Sequence, residues 1–159
     1  MIPKLDPAKL AAAQTRQNNL LKIPGSLGSL EEIGNRIAAM QRTDRPSLGK
    51  GAVVVCCGDH GVTAESVAPY PDAITRIQTV NFLEGGAAIN QIALASQADL
   101  WVVDAGVKGD EIPTHPRLVG PRVRQGTGNI AREPAMTRKQ AQAAIDLGRK
   151  AARRAIDAG

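Results

Sequence analysis

The feature that most constrains this chain is one short run, Ala52-Val-Val-Val-Cys-Cys57. It is continuously apolar and rich in β-branched residues, the pattern of a strand buried on both faces in a parallel sheet. Pro46, Gly49 and Gly51 make Thr43–Gly51 a linker before it, and Gly58-Asp-His-Gly61 ends it. A second strand, Leu100-Trp-Val-Val103, ends at Asp104-Ala-Gly-Val107. Between the two lies a helical region from about Asp72 to Gln97, interrupted at Gly85-Gly86. Strand, crossover helix and strand form one βαβ unit, which implies a parallel sheet and an α/β fold.

The flanks complete the layout. Pro7 to about Asn19 is Ala-rich and helix-prone, and Lys22–Gly28 is a loop by its Pro and two Gly. Ser29 with Glu32 reads as a capping box, opening a helix with Leu30, Ile33, Ile37 and Met40 on one face. Residues 1–48 are therefore expected to be an N-terminal helical segment, part of a small domain. Residues 49–159 are expected to be the first portion of a parallel α/β domain. Lys108–Met136 is irregular, with a short strand expected around Pro121–Arg124. Thr137 with Gln140 is a second capping box, starting a helix to about Ala158. Two strands, at most three, make a thin sheet, and the chain stops where the alternation would next supply a strand. The core is expected to be incomplete.

Composition narrows the function classes. Hydrophobic residues make up 43% of 159, enough for a sizeable core. Tyr70, Phe82 and Trp101 are the only aromatics, too few for a platform that stacks single-stranded nucleic acid. The net charge is +5, and much of the excess sits in the last helix, where Arg138, Lys139, Arg149, Lys150, Arg153 and Arg154 face only Asp146 and Asp157. Cations there favour the negative end of a helix macrodipole, so a solvated helix end explains them without a nucleic-acid partner. No apolar run reaches the roughly 18 residues of a membrane span. The start, Met1-Ile-Pro-Lys-Leu-Asp-Pro7, lacks the greasy stretch of a signal peptide, so a cytoplasmic location is expected. Cys56 and Cys57 are neighbours, which point to opposite faces of a strand; buried free thiols in a reducing compartment are expected.

The two strand ends resemble each other, Asp59-His60-Gly61-Val62 against Asp104-Ala105-Gly106-Val107. Ligands in open α/β sheets lie outside the carboxyl ends of the strands, which places Asp59, His60 and Asp104 along one rim of a crevice. Asp59 suits either a turn cap or a binding role. Gly126-Thr-Gly-Asn-Ile-Ala131 fits the dinucleotide pattern G-x-G-x-x-A, but Pro134 follows where a helix is required. His115 lies far from His60, so no multi-histidine metal site is expected.

Several segments in order carry a sharper signal. Arg16-Gln17, Leu20-Leu-Lys-Ile-Pro-Gly-Ser-Leu-Gly28 and Leu30-Glu31 come first, then Gly58-Asp-His-Gly-Val62, Tyr70-Pro71 with Thr75, and Asn81-Phe-Leu-Glu-Gly-Gly-Ala-Ala-Ile-Asn90. Val103-Asp-Ala-Gly-Val107, Gly126-Thr-Gly-Asn129 and Pro134-Ala-Met-Thr137 follow. From about residue 14 onward the chain resembles the nicotinate-nucleotide–dimethylbenzimidazole phosphoribosyltransferases. Ser66 departs from the family pattern, which has Gly after the Glu.

The resemblance implies a Rossmann-like, doubly wound parallel sheet with a small helical domain, usually in a homodimer, and no cofactor. It implies transfer of the phosphoribosyl group of nicotinate mononucleotide to 5,6-dimethylbenzimidazole, giving α-ribazole phosphate and nicotinate. The base-binding block falls on Tyr70 and Gln78: a ring can flank a flat bicycle, and an amide can hydrogen-bond a ring nitrogen. Asp59 and His60 join them as candidate substrate-binding residues. A base must take the benzimidazole proton as the other nitrogen attacks C1′. In the family that base is a glutamate beyond the position of Gly159, and the Gly-rich phosphate segment lies beyond it too. Glu65 and Glu84 are carboxylates expected near the crevice, and neither matches the family's base. The chain is thus expected to be the N-terminal part of such an enzyme, inactive alone. The alternative is a non-catalytic base-binding or assembly module that pairs with a second chain.

Overall fold

The computed structural model describes residues 4–159, so the first three residues of the start inspected above for a signal peptide lie outside the described residues. The chain divides into two compact units, Met1–Leu48 and Gly49–Gly159. Among the described residues no helix is long and apolar enough to cross a membrane.

The first unit is a helix pair, α1 (Pro7–Asn18) and α2 (Ser29–Gln41). Asp6 caps α1, its Oδ1 accepting from Ala8 N at 2.9 Å. The capping box expected at Ser29 does not form. Gly28 is the N-cap of α2, at φ +54, and no side chain caps it. Glu31, not Glu32, turns back instead, its Oε1 accepting from Leu27 N at 3.2 Å and from Lys22 Nζ at 2.6 Å. The Lys22 ammonium holds the Glu31 carboxyl below its ordinary value. The apolar face expected on α2 is also open to solvent: Leu30, Ile33 and Met40 are exposed, while the small residues Ala13, Ala38 and Ala39 are buried.

In the second unit β1 (Ala52–Gly58), β2 (Asp99–Gly106) and β3 (Leu118–Val119) form a parallel sheet in the order β1-β2-β3. The α/β architecture is the expected one. Between β1 and β2 run α3 (Ala73–Glu84) and α4 (Ala88–Ala95), broken at the two glycines as the sequence predicts, and α5 (Arg138–Asp157) follows β3. β3 lies a few residues before the expected Pro121–Arg124 strand: Val102 and Val103 pair with Leu118 and Val119. Proline cannot donate to a ladder, which disfavours Pro121 as a strand residue.

Two small cores sandwich the sheet. On one face Cys57, Val102, Val107 and Ile112 pack with Val80, Phe82 and Leu83 of α3. On the other Val103 and Val119 pack with Leu147 and Ala151 of α5. β2 is covered on both sides and β1 is not. Val55 and Cys57 face the α3 core, but Val54 and Cys56, which pair with Trp101 and Val103, are exposed. The expectation of two buried thiols and a strand buried on both faces is therefore half right: Cys57 is buried and Cys56 exposed.

The capping box at Thr137 forms in full, with Thr137 Oγ1 accepting from Gln140 N at 3.2 Å and Gln140 Oε1 from Thr137 N at 2.9 Å. Not all of the α5 cations are merely solvated. Lys150 Nζ donates to Gly120 O at 3.0 Å and Arg154 Nη1 to Leu118 O at 3.2 Å, so both tie the helix to the β3 segment.

Candidate active site at the strand ends

The ends of β1 and β2 are joined by backbone. Asp59 N donates to Gly106 O at 3.0 Å, Gly126 N to the same oxygen at 2.9 Å, and Thr127 N to Asp59 O at 2.9 Å. The Gly126-Thr-Gly-Asn129 loop is thus laid directly across both strand ends. Glycine makes this approach possible. A Cβ on Gly61 would stand 2.6 Å from Asn129 N and from Gly128 C, and one on Gly128 would stand 2.8 Å from Pro134 O. The glycines serve backbone contact within the protein, and no helix follows them until Arg138.

The carboxylates at the two strand ends are both buried, at 5% exposure for Asp59 and 6% for Asp104. Asp104 Oδ1 accepts from Val107 N at 2.9 Å, a local turn cap. Asp59 Oδ2 reaches to the other strand end and accepts from Lys108 N at 2.7 Å. Lys108 Nζ in turn pairs with Asp72, just before α3, and holds the Asp72 carboxyl below its ordinary value.

Between these loops lies a cavity of about 140 Å³. Asp59, His60, Thr127 and Arg124 line it with the apolar side chains of Ala105, Val123, Met136 and Ala144. His60 and Asp59 therefore share one cavity, whereas the Asp104 side chain turns into its own loop. The sequence does not single out Arg124 and Ala144, which come from the irregular stretch and from α5, while Met136 falls in the Pro134-Ala-Met-Thr137 segment of the resemblance without a site role read from it. The one available signal is the glycine loop between them.

Tyr70 and Gln78 lie apart from this cavity. Tyr70 is 70% exposed, and Gln78 is on the exposed side of α3, its Oε1 accepting from Asn81 Nδ2 at 3.4 Å. Ile74 and Ile77, close to Gln78 along the helix, are exposed as well. They form an apolar strip where the helical periodicity suggests core residues.

Neither candidate carboxylate is free in the crevice. Glu65 Oε1 accepts from Asn129 Nδ2 at 2.6 Å and Arg132 Nε at 2.7 Å, and the Arg132 guanidinium holds its carboxyl below the ordinary range. Glu84 closes α3 beside Gly85, which lines a groove at the amino ends of the strands with Lys50 and Asp99. Ser66, the departure from the family pattern, stands at φ +57 in the left-handed region. Glycine occupies that region without strain, so the Gly that the resemblance implies there would suit this backbone.

A family described as "Phosphoribosyltransferase" matches residues 2–159. The nicotinate-nucleotide–dimethylbenzimidazole phosphoribosyltransferase of Thermus thermophilus is 52% identical over 155 residues, covering 98% of this chain and 46% of the relative. The protein of the same name from Chloroflexus aggregans is 46% identical over 158 residues, covering 99% of this chain and 44% of the relative. A crystal structure of the Thermus thermophilus protein matches with a TM-score of 0.92 over 97% of this chain and 46% of that one. The chain thus spans about half the length of these relatives. With the family matched from end to end and the fold shared at 52% identity, the chain belongs to the phosphoribosyltransferase family.

Proposed function

We propose that this chain forms the part of a nicotinate mononucleotide:5,6-dimethylbenzimidazole phosphoribosyltransferase that receives the bases, and that catalysis belongs to the assembled protein. The observation that carries the reading is 52% identity to a relative of that name across 98% of the chain, with the fold preserved. Tyr70 and Gln78 meet the dimethylbenzimidazole: the exposed Ile74 and Ile77 give the bicycle an apolar bed, and the Gln78 amide hydrogen-bonds a ring nitrogen. Asp59 and His60 face the nucleotide at the strand ends. The carboxylate that takes the benzimidazole proton is supplied from the half of the relatives that this chain does not span. A cytoplasmic location fits the two free thiols, and a homodimer follows from the family resemblance.

A second reading, a base-binding module that pairs with a separate chain, draws support from the open face of β1 at Val54 and Cys56. Incubating the purified chain with nicotinate mononucleotide and dimethylbenzimidazole is expected to give no α-ribazole phosphate. Adding the complementary half of the Thermus relative is expected to restore it. Product from the chain alone would overturn the division of labour. Unchanged dimethylbenzimidazole affinity by calorimetry in a Tyr70→Ala/Gln78→Ala double variant would reject the base assignment.

A further inference from the structure

We infer that Lys108 is a positioning residue for the dimethylbenzimidazole surface: it ties the start of α3, and with it Tyr70 and Gln78, to the strand ends. This deepens the proposed function and rests on its assignment of Tyr70 and Gln78 to the base. The first ground is a diverted cap. Asp72 is the N-cap residue of α3, yet its side chain makes no capping bond to the helix. An aspartate at that position ordinarily accepts from a free amide of the first turn. Here the carboxylate is turned to the Lys108 ammonium instead.

The second ground is the path of the lysine. Lys108 N donates to Asp59 Oδ2 at 2.7 Å, which fixes its backbone to the end of β1. Its stem then crosses Gly126, where a Cβ would stand 2.8 Å from Lys108 Cε and 3.2 Å from Cγ. One residue thereby touches the β1 end, the glycine loop and the start of α3. Tyr70 precedes Asp72 and Gln78 follows it along the helix, so the pair stands between the two proposed base contacts. The third ground is that the rest of the loop is already held to the helix body. Arg76 Nε donates to Asp110 O at 3.4 Å and Nη2 to Glu111 O at 3.3 Å, and Ile112 is buried against Val80, Phe82 and Leu83. The Lys108 pair adds the contact that fixes where the helix begins. Its side chains are 35% and 29% exposed, so added salt weakens it.

Lys108→Met keeps the stem and the N–H to Asp59 and removes the ammonium. By calorimetry at low salt it is expected to weaken dimethylbenzimidazole about threefold, the scale of a part-exposed pair. Affinity for this uncharged base is expected to fall with added salt in the parent chain and to stay flat in the variant. Exchanging the charges, Lys108→Asp with Asp72→Lys, is expected to restore both the affinity and its salt dependence. Without ligand, Lys108→Met is expected to shift the amide resonances of Tyr70 and Gln78, and the exchange to return them. The inference is overturned if those amides do not move, if Lys108→Met binds as tightly as the parent, or if the exchange recovers urea stability without recovering affinity, the mark of a merely structural pair. If no protein binds dimethylbenzimidazole while both amides respond to the variant and the exchange, the base assignment falls and the hold of Lys108 on that surface stands.

Discussion

The ends of β1 and β2 carry nearly the same four residues and use them differently. Asp104 caps a turn three residues long, accepting from Val107 N. Asp59 spans 49 residues of sequence to Lys108 N and so couples one strand end to the other. The glycines diverge in the same way. Gly61 is enclosed by Thr127, Gly128 and Asn129 at 2.6–2.7 Å from a would-be Cβ, whereas the nearest atom for Gly106 is Arg124 O at 3.2 Å. A repeated motif gives two similar turns; which one becomes the hub depends on the loop that returns from a distance.

The largest expected contrast lies in the glycines. Gly61→Ala forces backbone against backbone and should destabilise by about 3 kcal/mol, while Gly106→Ala should cost about 1 kcal/mol. Urea unfolding of the two variants checks this, and equal losses would dissolve the distinction. The aspartates come next. Asp59→Ala leaves the Lys108 amide without its partner and should cost about 2 kcal/mol, against about 1 kcal/mol for Asp104→Ala. Amide exchange at Lys108 should accelerate in the first variant alone.

The smallest effect is in pH. The β1 end is stapled to the Gly126 loop by Glu65, which accepts from Asn129 Nδ2 and pairs with Arg132, while the β2 end is held by Arg122 Nη1 donating to Val107 O and by the Lys108–Asp72 pair. Glu65 titrates below its ordinary value of 4.5 in the folded state. Its contribution is therefore present above pH 4.5 and lost as pH falls through the lower, folded value. Glu65→Gln should remove only the Glu65 share of the acid loss in stability, since Glu31 and Asp72 also titrate below their ordinary values, and acid-induced amide exchange in residues 61–66 should become less steep in that variant.

Much of this was legible in the sequence, and the misses have physical causes. β2 is legible because a parallel strand covered on both faces has to be apolar, and β1 is legible from the same kind of run although one of its faces is open. Thr137 with Gln140 forms both bonds of its capping box. The same pattern failed at Ser29 because Gly28 already turns the chain at a positive φ and Glu31 sits closer to the free amides. β3 was misplaced because two residues of pairing leave no periodicity to read. At the site, Asp59 and His60 could be placed by topology alone. Arg124 and Ala144 could not, since they reach the cavity from an irregular loop and a helix far along the chain.

The alternation of β1 has a practical side. Cys56 is exposed on the face that α5 leaves bare, and Cys57 is buried against α3, where burial also raises its thiol pKa. Two adjacent thiols, set on opposite sides of one strand, therefore differ in both access and reactivity. A dye or spin label would enter at a single position, and its signal would report whether anything comes to rest on that side of the sheet.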